Sequence, residues 1–221
     1  MLRPAAIFAA IFVVVVIWSR AAAEESVLLI VGDSLSAGYG IDVKRSWPHL
    51  LQARLQERGY RQTVVNASIS GETTAGGVRR IGALLDEHKP AWVVIALGAN
   101  DGLRGFDITQ TRQNLETMIG SVVEAGASPA LVQVRIPPNY GPRYTQSFEA
   151  MFEQIGSREE VTYAPFLLRE FALDPNAFQA DGLHPTVTVQ PLIVDTLWPS
   201  ITALLKLERS NSTHADSGDL R

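Results

Sequence analysis

Serine, histidine and aspartate side chains that could together perform acyl transfer occur at distant points of this 221-residue chain. The apolar residues 29–32 end at Asp33 and Ser34, and Asp181 and His184 lie three residues apart in a late polar segment. A serine hydroxyl needs a neutral imidazole to accept its proton, and the imidazole needs a carboxylate to fix its tautomer. Ser34, His184 and Asp181 are therefore a candidate nucleophile, base and orienting acid.

Acyl transfer also develops an oxyanion, which needs hydrogen-bond donors. Two further polar turns supply them: one contains Gly71, and the other is Gly98-Ala99-Asn100-Asp101. We expect the backbone N–H groups of Ser34 and Gly71 and the side-chain amide of Asn100 to form the oxyanion hole. Glycine suits position 71, because a Cβ there would obstruct the approach of a substrate carbonyl to the N–H.

Each of these residues also has an ordinary structural explanation. Ser34 could cap the turn after a strand, Asn100 could be a turn residue, and His184 could be a partly exposed histidine without a role in catalysis. Ser68 and Ser70 are rival nucleophiles, which we expect instead to shape the turn that carries Gly71. Only the convergence of these segments at one place would favour catalysis.

Alternating apolar and amphipathic segments predict the elements that position these residues. The patterns indicate strands at 26–32, 62–66, 92–97, 130–136 and 161–164, and helices at 47–58, 74–88, 108–125, 144–156 and 186–207. This alternation predicts an α/β protein whose parallel sheet is covered on both faces, with residues 92–97 at its centre. The carboxyl ends of parallel strands meet at one sheet edge, where such proteins bind their ligands.

Composition bounds the remaining possibilities. A formal net charge of −4 gives no basic surface for nucleic acid, and the absence of cysteine excludes disulfides, a catalytic thiol and a cysteine-based zinc site. Residues 1–23 have the pattern of a secretory signal peptide, with an apolar run shorter than a membrane span. Residues 24–208 then form one domain, and the polar residues 209–221 are expected to be a disordered tail.

Four sequence blocks, in order, resemble the SGNH hydrolases, also called the GDSL family. They are Gly32-Asp33-Ser34-Leu35, Gly71, Gly98-Ala99-Asn100-Asp101 and Asp181-Gly182-Leu183-His184-Pro185. The resemblance implies a flavodoxin-like three-layer α/β/α sandwich with a five-stranded parallel sheet. It also implies Ser34 as nucleophile, His184 as base, Asp181 as acid, and an oxyanion hole of Ser34, Gly71 and Asn100, with no cofactor and no metal.

The implied activity is hydrolysis of acyl esters and thioesters, including lysophospholipids, through an acyl-enzyme. We expect a monomer that is exported to the periplasm or secreted, that is not stably inserted in a membrane after signal cleavage, and that binds a small acyl substrate. Residues 73–78 and 137–144 are expected to line the acyl groove. Two alternatives stay open: a secreted lipid-binding module without turnover, and a metal-dependent phosphoesterase using Asp33, Asn100, Asp101, Asp181 and His184.

Overall fold

A five-stranded parallel sheet forms the middle of the molecule. The computed structural model describes residues 26–215, with side chains described up to residue 207. The strands are β1 (Val27–Gly32), β2 (Thr63–Asn66), β3 (Trp92–Ala96), β4 (Ser128–Val132) and β5 (Thr162–Ala164). Their order is β2-β1-β3-β4-β5, and every neighbouring pair is parallel. The predicted sheet and the central position of β3, whose residues are all buried, are therefore confirmed.

Seven α-helices connect and cover the strands within the described part of the chain. They are α1 (Ser34–Ala37), α2 (Trp47–Glu57), α3 (Thr74–His88), α4 (Ala99–Leu103), α5 (Ile108–Glu124), α6 (Pro142–Gly156) and α7 (Gln190–Ala215). Leu28 and Ile30 of β1 pack in a core with α2 and α7, whereas Leu29 and Val31 pack in a second core with α3, α5 and α6. Helices on both sheet faces give the predicted three-layer α/β/α sandwich.

The end of β4 differs from the prediction of a strand at 130–136. β4 ends at Val132, which pairs with Ala164, and the chain then leaves the sheet. The apolar pattern continues because Val134 and Ile136 are buried in the core beneath α5 and α6, not because the strand continues. The loop that follows β4 is therefore anchored by its own apolar side chains.

Three helical features lie outside the predicted elements. The short helices α1 and α4 follow β1 and β3 directly, and each carries a candidate site residue. The last helix continues to Ala215 with Pro199 inside it, past the predicted end at residue 207. Helices as short as α1 and α4 lack the two or three turns that a periodic apolar pattern needs to be visible.

The predicted signal peptide and part of the predicted tail fall at the two ends of the chain. The predicted signal peptide, residues 1–23, and residues 216–221 of the predicted tail lie outside the described residues. Within the described range, none of the helices has both the length and the apolar character required to cross a bilayer.

Candidate active site

Ser34 lies at the carboxyl end of β1, where the chain turns directly into α1. Asp33 is the N-cap of α1, and its side chain accepts a hydrogen bond from the Leu35 N–H at 3.0 Å. The cap is therefore Asp33 and not Ser34, which leaves the Ser34 hydroxyl available. The turn is tight, because a Cβ on Gly32 would come within 2.7 Å of the Ser36 Oγ.

The Ser34 hydroxyl, the His184 ring and the Asp181 carboxylate form a continuous hydrogen-bonded chain. Ser34 Oγ lies 2.9 Å from His184 Nε2, and His184 Nδ1 lies 2.7 Å from Asp181 Oδ2. The other carboxylate oxygen, Oδ1, accepts hydrogen bonds from the N–H groups of Leu183 and His184 at 2.9 and 3.0 Å. The structure thus brings together three residues that the sequence separates by up to 150 positions.

The hydrogen bonds to Asp181 determine the tautomer of His184. The backbone and side-chain hydrogen bonds from His184, together with the Leu183 N–H, lower the pKa of Asp181 to about 2. An ionised carboxylate only accepts hydrogen bonds, so Nδ1 of the imidazole must carry the proton that it shares with Asp181. His184 Nε2 is then unprotonated in the neutral ring and can accept the Ser34 hydroxyl proton.

Asp33, which directly precedes Ser34, differs sharply from Asp181 in burial and in pKa. Asp33 is 2% exposed, and this burial raises its pKa to about 6. The Leu35 N–H bond and the charge of His184 oppose that rise, and the charge of Asp101 adds to it. Asp33 therefore caps α1 beneath Ser34, whereas the carboxylate that contacts His184 is that of Asp181.

The turn that contains Gly71 and the helix α4 are joined beside Ser34. Asn100 Nδ2 donates to the Glu72 carbonyl at 3.0 Å, and Arg104 Nη2 donates to the Gly71 carbonyl at 3.3 Å. An amide nitrogen carries two hydrogens, so Asn100 keeps a second donor while the first holds the turn. Gly71 has φ +79°, a backbone conformation that favours glycine, and a Cβ there would meet only Arg104 Nη2, at 3.9 Å.

Asp101 braces α4 against α3, a role that the sequence did not reveal. It is 2% exposed and accepts hydrogen bonds from the Thr74 N–H at 2.9 Å and from Thr74 Oγ1 at 2.6 Å. Asn114 Nδ2 of α5 donates to the same Thr74 Oγ1. Asn100 therefore lies next to a residue, Asp101, whose hydrogen bonds connect α4 to α3 and, through Thr74, to α5.

A cavity of about 1010 Å³ opens beside Ser34 and His184. Ser34, Gly71, Asn100 and His184 all line it. Apolar side chains from the end of β4, the loop after it and residues 166–178 form much of the remaining wall; they include Val132, Val134, Ile136, Phe166, Leu167, Leu168 and Phe178. This size and lining suit an apolar ligand held by a few polar groups.

The expected groove segments are only partly those that line the cavity. Pro137 and Pro138, from the predicted segment 137–144, are part of the wall, but residues 73–78 are not. Residues 74–78 instead form the first turns of α3. Gly77 is buried there, and a Cβ on it would come within 2.6 Å of Met118 Sδ in α5. The glycine at this position therefore serves close packing between α3 and α5.

The structure does not form the two alternative sites, a nucleophile at Ser68 or Ser70 and a metal-ligand cluster. Ser70 lines the cavity, but the histidine nitrogen lies against Ser34, and Ser68 Oγ is buried without a partner among the described residues. The residues that the structure describes contain no group of three or more histidine, aspartate or glutamate side chains placed to hold a metal ion. The ligand cluster that would support a phosphoesterase is therefore not formed by the proposed residues.

Comparison with known proteins agrees with this geometry. The model of the GDSL-like Lipase/Acylhydrolase family matches residues 30–190. The Esterase TesA of Pseudomonas aeruginosa is 45% identical over 191 residues, which are 86% of this chain and 94% of that protein. The Escherichia coli protein Thioesterase 1/protease 1/lysophospholipase L1 is 43% identical over 88% of this chain and 92% of its own.

Solved structures show the same likeness in three dimensions. A crystal structure of TesA has a TM-score of 0.79 and 45% identity, and covers 81% of this chain and 99% of its own. The psychrotrophic esterase EstA from Pseudoalteromonas, in a structure inhibited by monoethylphosphonate, has a TM-score of 0.78 and 41% identity, and covers 82% and 99%. This chain therefore belongs to the GDSL-like lipase/acylhydrolase family and is an SGNH-type esterase.

Proposed function

We propose that Ser34 is the nucleophile with which this esterase hydrolyses acyl esters and thioesters, that His184 is its general base and acid, and that Asp181 orients His184. The observation that carries this proposal is the hydrogen-bonded chain from Asp181 through His184 to Ser34, with 2.7 and 2.9 Å between the bonded atoms. These distances are within the range required for proton transfer between positioned groups.

The reaction proceeds in two halves that share one base. Ser34 Oγ attacks the substrate carbonyl carbon while its proton passes to His184 Nε2, and the carbonyl oxygen becomes an oxyanion. His184 then gives that proton to the leaving thiol or alcohol as the bond to it breaks, which leaves an acyl group on Ser34. Water attacks the acyl-serine with His184 again as base, which releases the carboxylic acid and restores the serine.

The oxyanion is stabilised by donors that are in place before the substrate binds. The N–H groups of Ser34 and Gly71 and the second hydrogen of Asn100 Nδ2 are the proposed donors. Asn100 is held by the Glu72 carbonyl and its helix by the Asp101–Thr74 contacts, so it needs little reorganisation. Loss of one such donor costs about 2.7 to 4 kcal/mol of barrier in comparable sites.

The substrate class follows from the cavity and from the relatives. The apolar wall suits an acyl chain, and the relatives' names include esterase, thioesterase, lysophospholipase and arylesterase. Fatty esters and lysophospholipids would be encountered outside the cytoplasm, in keeping with the signal-like residues 1–23. We propose a monomeric exported enzyme, periplasmic or secreted, for which these are the substrates.

Replacement of the nucleophile tests the assignment. Ser34→Ala should fold normally, because the only hydrogen bond of the Ser34 hydroxyl among the described residues is with the partly exposed His184, and it should lose about 10³-fold or more in turnover of a chromogenic medium-chain ester. Ser68→Ala is the matched control and should keep wild-type turnover. Full activity of purified, folded Ser34→Ala would contradict the assignment, as would loss of activity in Ser68→Ala alone.

A further inference from the structure

We infer that Tyr39, held in place by Gln179, is a positioning residue for the His184 imidazole. The inference rests on the proposed role of His184 as the base. Tyr39 follows α1, and its ring centroid lies 4.3 Å from that of His184 with the ring planes tilted by 34°. The two rings are therefore in direct contact, with the tyrosine ring packed against the imidazole.

His184 depends on such a contact because the turn that carries it is exposed. The Asp181 side chain is 40% exposed, whereas the His184 side chain is only 13% exposed. Asp181 fixes one edge of the imidazole through Nδ1, and Ser34 meets the opposite edge at Nε2. Neither contact prevents the ring from tilting about the line that joins them, but a ring packed against its face does.

Gln179 ties the Tyr39 segment to the His184 turn. Its side-chain Nε2 donates to the Tyr39 carbonyl at 2.8 Å and to the Pro185 carbonyl at 3.1 Å, and its backbone N–H donates to the His184 carbonyl at 2.8 Å. A single residue thus links the segment that carries the tyrosine ring with both the histidine and the residue after it.

The residue after Tyr39 is a glycine, which leaves space for the Gln179 side chain. Gly40 has φ +72°, and a Cβ at this position would come within 2.1 Å of Gln179 Oε1. Glycine at position 40 therefore leaves room for the Gln179 side chain against the backbone. The Tyr39 N–H also bonds the Ser34 carbonyl at 3.3 Å, which connects the same segment to the nucleophile.

The contact also has an electrostatic consequence for the reaction. When His184 takes the serine proton, its ring becomes a cation, and a cation against the face of an aromatic ring is stabilised by the negative charge of that face. Tyr39 therefore favours the charged intermediate over the neutral resting state. Such an effect appears in kcat more than in KM, because the charge exists only during the reaction.

The aromatic ring, rather than the phenol oxygen, should be sufficient. Among the described residues, the Tyr39 hydroxyl has no hydrogen-bond partner, and the residue is 52% exposed. Phenylalanine preserves the ring face, whereas leucine preserves apolar bulk without it. The pair Tyr39→Phe and Tyr39→Leu therefore separates the ring from mere filling of space.

The test measures kcat and KM of Tyr39→Phe, Tyr39→Leu and Tyr39→Ala on one ester, and the downfield proton resonance of the His184 Nδ1–H···Asp181 hydrogen bond. We expect wild-type values for Tyr39→Phe. Tyr39→Ala and Tyr39→Leu should lose about 5- to 10-fold in kcat with a smaller change in KM, and their downfield resonance should broaden or vanish. An unchanged kcat and resonance in Tyr39→Ala would overturn the inference, as would an effect confined to KM or an equal loss in Tyr39→Phe.

A second variant keeps the test decisive if Tyr39→Ala does not fold. Gln179→Ala leaves the ring in the chain and removes only the tie, and it should lower kcat in the same direction by a smaller factor. A wild-type kcat in Gln179→Ala would contradict the positioning by Gln179. If Ser34→Ala retains activity, the proposed function itself fails; if Ser34→Ala is inactive while every Tyr39 variant is fully active, only this inference fails.

Discussion

Two aspartates flank the reacting groups, and their environments shift their pKa values in opposite directions. Asp33 lies at the end of β1 beneath Ser34 and is 2% exposed, and burial raises its pKa to about 6. Asp181 lies on an exposed turn, where hydrogen bonds from His184 and Leu183 lower its pKa to about 2. The same side chain thus serves as a buried cap at one position and as a permanent anion at the other.

This difference shows how the site divides its work. The side that holds Ser34, Gly71 and Asn100 is built on strand ends and on buried contacts such as that of Asp101 with Thr74. The side that holds Asp181 and His184 is an exposed turn whose geometry depends on a few hydrogen bonds and on the Tyr39 ring. Removing a charge should therefore affect stability on the first side and activity on the second.

The largest contrast is expected between the isosteric variants Asp181→Asn and Asp33→Asn. In Asp181→Asn the amide can donate to Nδ1 and so favour the wrong tautomer of His184, and kcat should fall about 10³- to 10⁴-fold. In Asp33→Asn the side-chain oxygen can still accept from the Leu35 N–H, so kcat should fall less than about 10-fold. Steady-state kinetics on one ester compares the two.

Melting curves of both variants are the control, since each must be folded when it is assayed. A loss of similar size in the two variants would contradict the division of roles. A larger loss in Asp33→Asn would exchange those roles, and would make the buried carboxylate the orienting acid.

A smaller effect is expected in the pH dependence of stability. The pKa of Asp33 is about 6 in the folded protein against 3.8 in the unfolded chain, so the folded state favours the protonated form. Its contribution to stability is fully present below pH 3.8 and is lost as the pH rises through 6, by about 3 kcal/mol in total. Asp181 acts oppositely: its contribution is present above pH 3.8 and is lost as the pH falls through 2.

Urea unfolding between pH 4 and pH 7 isolates the contribution of Asp33. The free energy of unfolding of wild type minus that of Asp33→Asn should fall by about 2.5 kcal/mol across this interval, because the titration of Asp181 is common to both proteins and cancels in the difference. A difference that stays constant from pH 4 to pH 7 would show that Asp33 keeps an ordinary pKa, and would remove the electrostatic contrast between the two aspartates.

The sequence predicts the sheet well because each strand coincides with a short apolar segment. The residues of β3 are buried throughout, and the helix from Thr74 to His88 has the predicted bounds. The predicted site residues also come together, because strands that are all parallel place their carboxyl ends at one edge. The chemistry of the residue types makes Ser34, His184 and Asp181 candidates, and the resemblance between sequence blocks favours these roles over ordinary structural ones.

Other contacts could not be predicted because they depend on tertiary geometry. The tie from Gln179 to Tyr39 spans 140 positions, and no periodic pattern marks either residue. The sequence suggests Asp101 only as a candidate metal ligand, whereas in the structure its carboxylate accepts hydrogen bonds from Thr74. The predicted end of β4 is wrong because Val134 and Ile136 belong to a loop that packs on the core. Their alternating apolar pattern in the sequence is the same as that of a strand.

Covalent trapping of the nucleophile tests the central claim most directly. An activated alkylphosphonate ester should place one phosphonyl group on Ser34 as its leaving group departs, and intact-mass measurement with peptide mapping should locate it there as turnover is lost. Ser34→Ala should gain no mass, and His184→Ala should react far more slowly. An adduct on another residue with Ser34 unmodified, or full turnover by protein whose Ser34 is fully modified, would contradict the account.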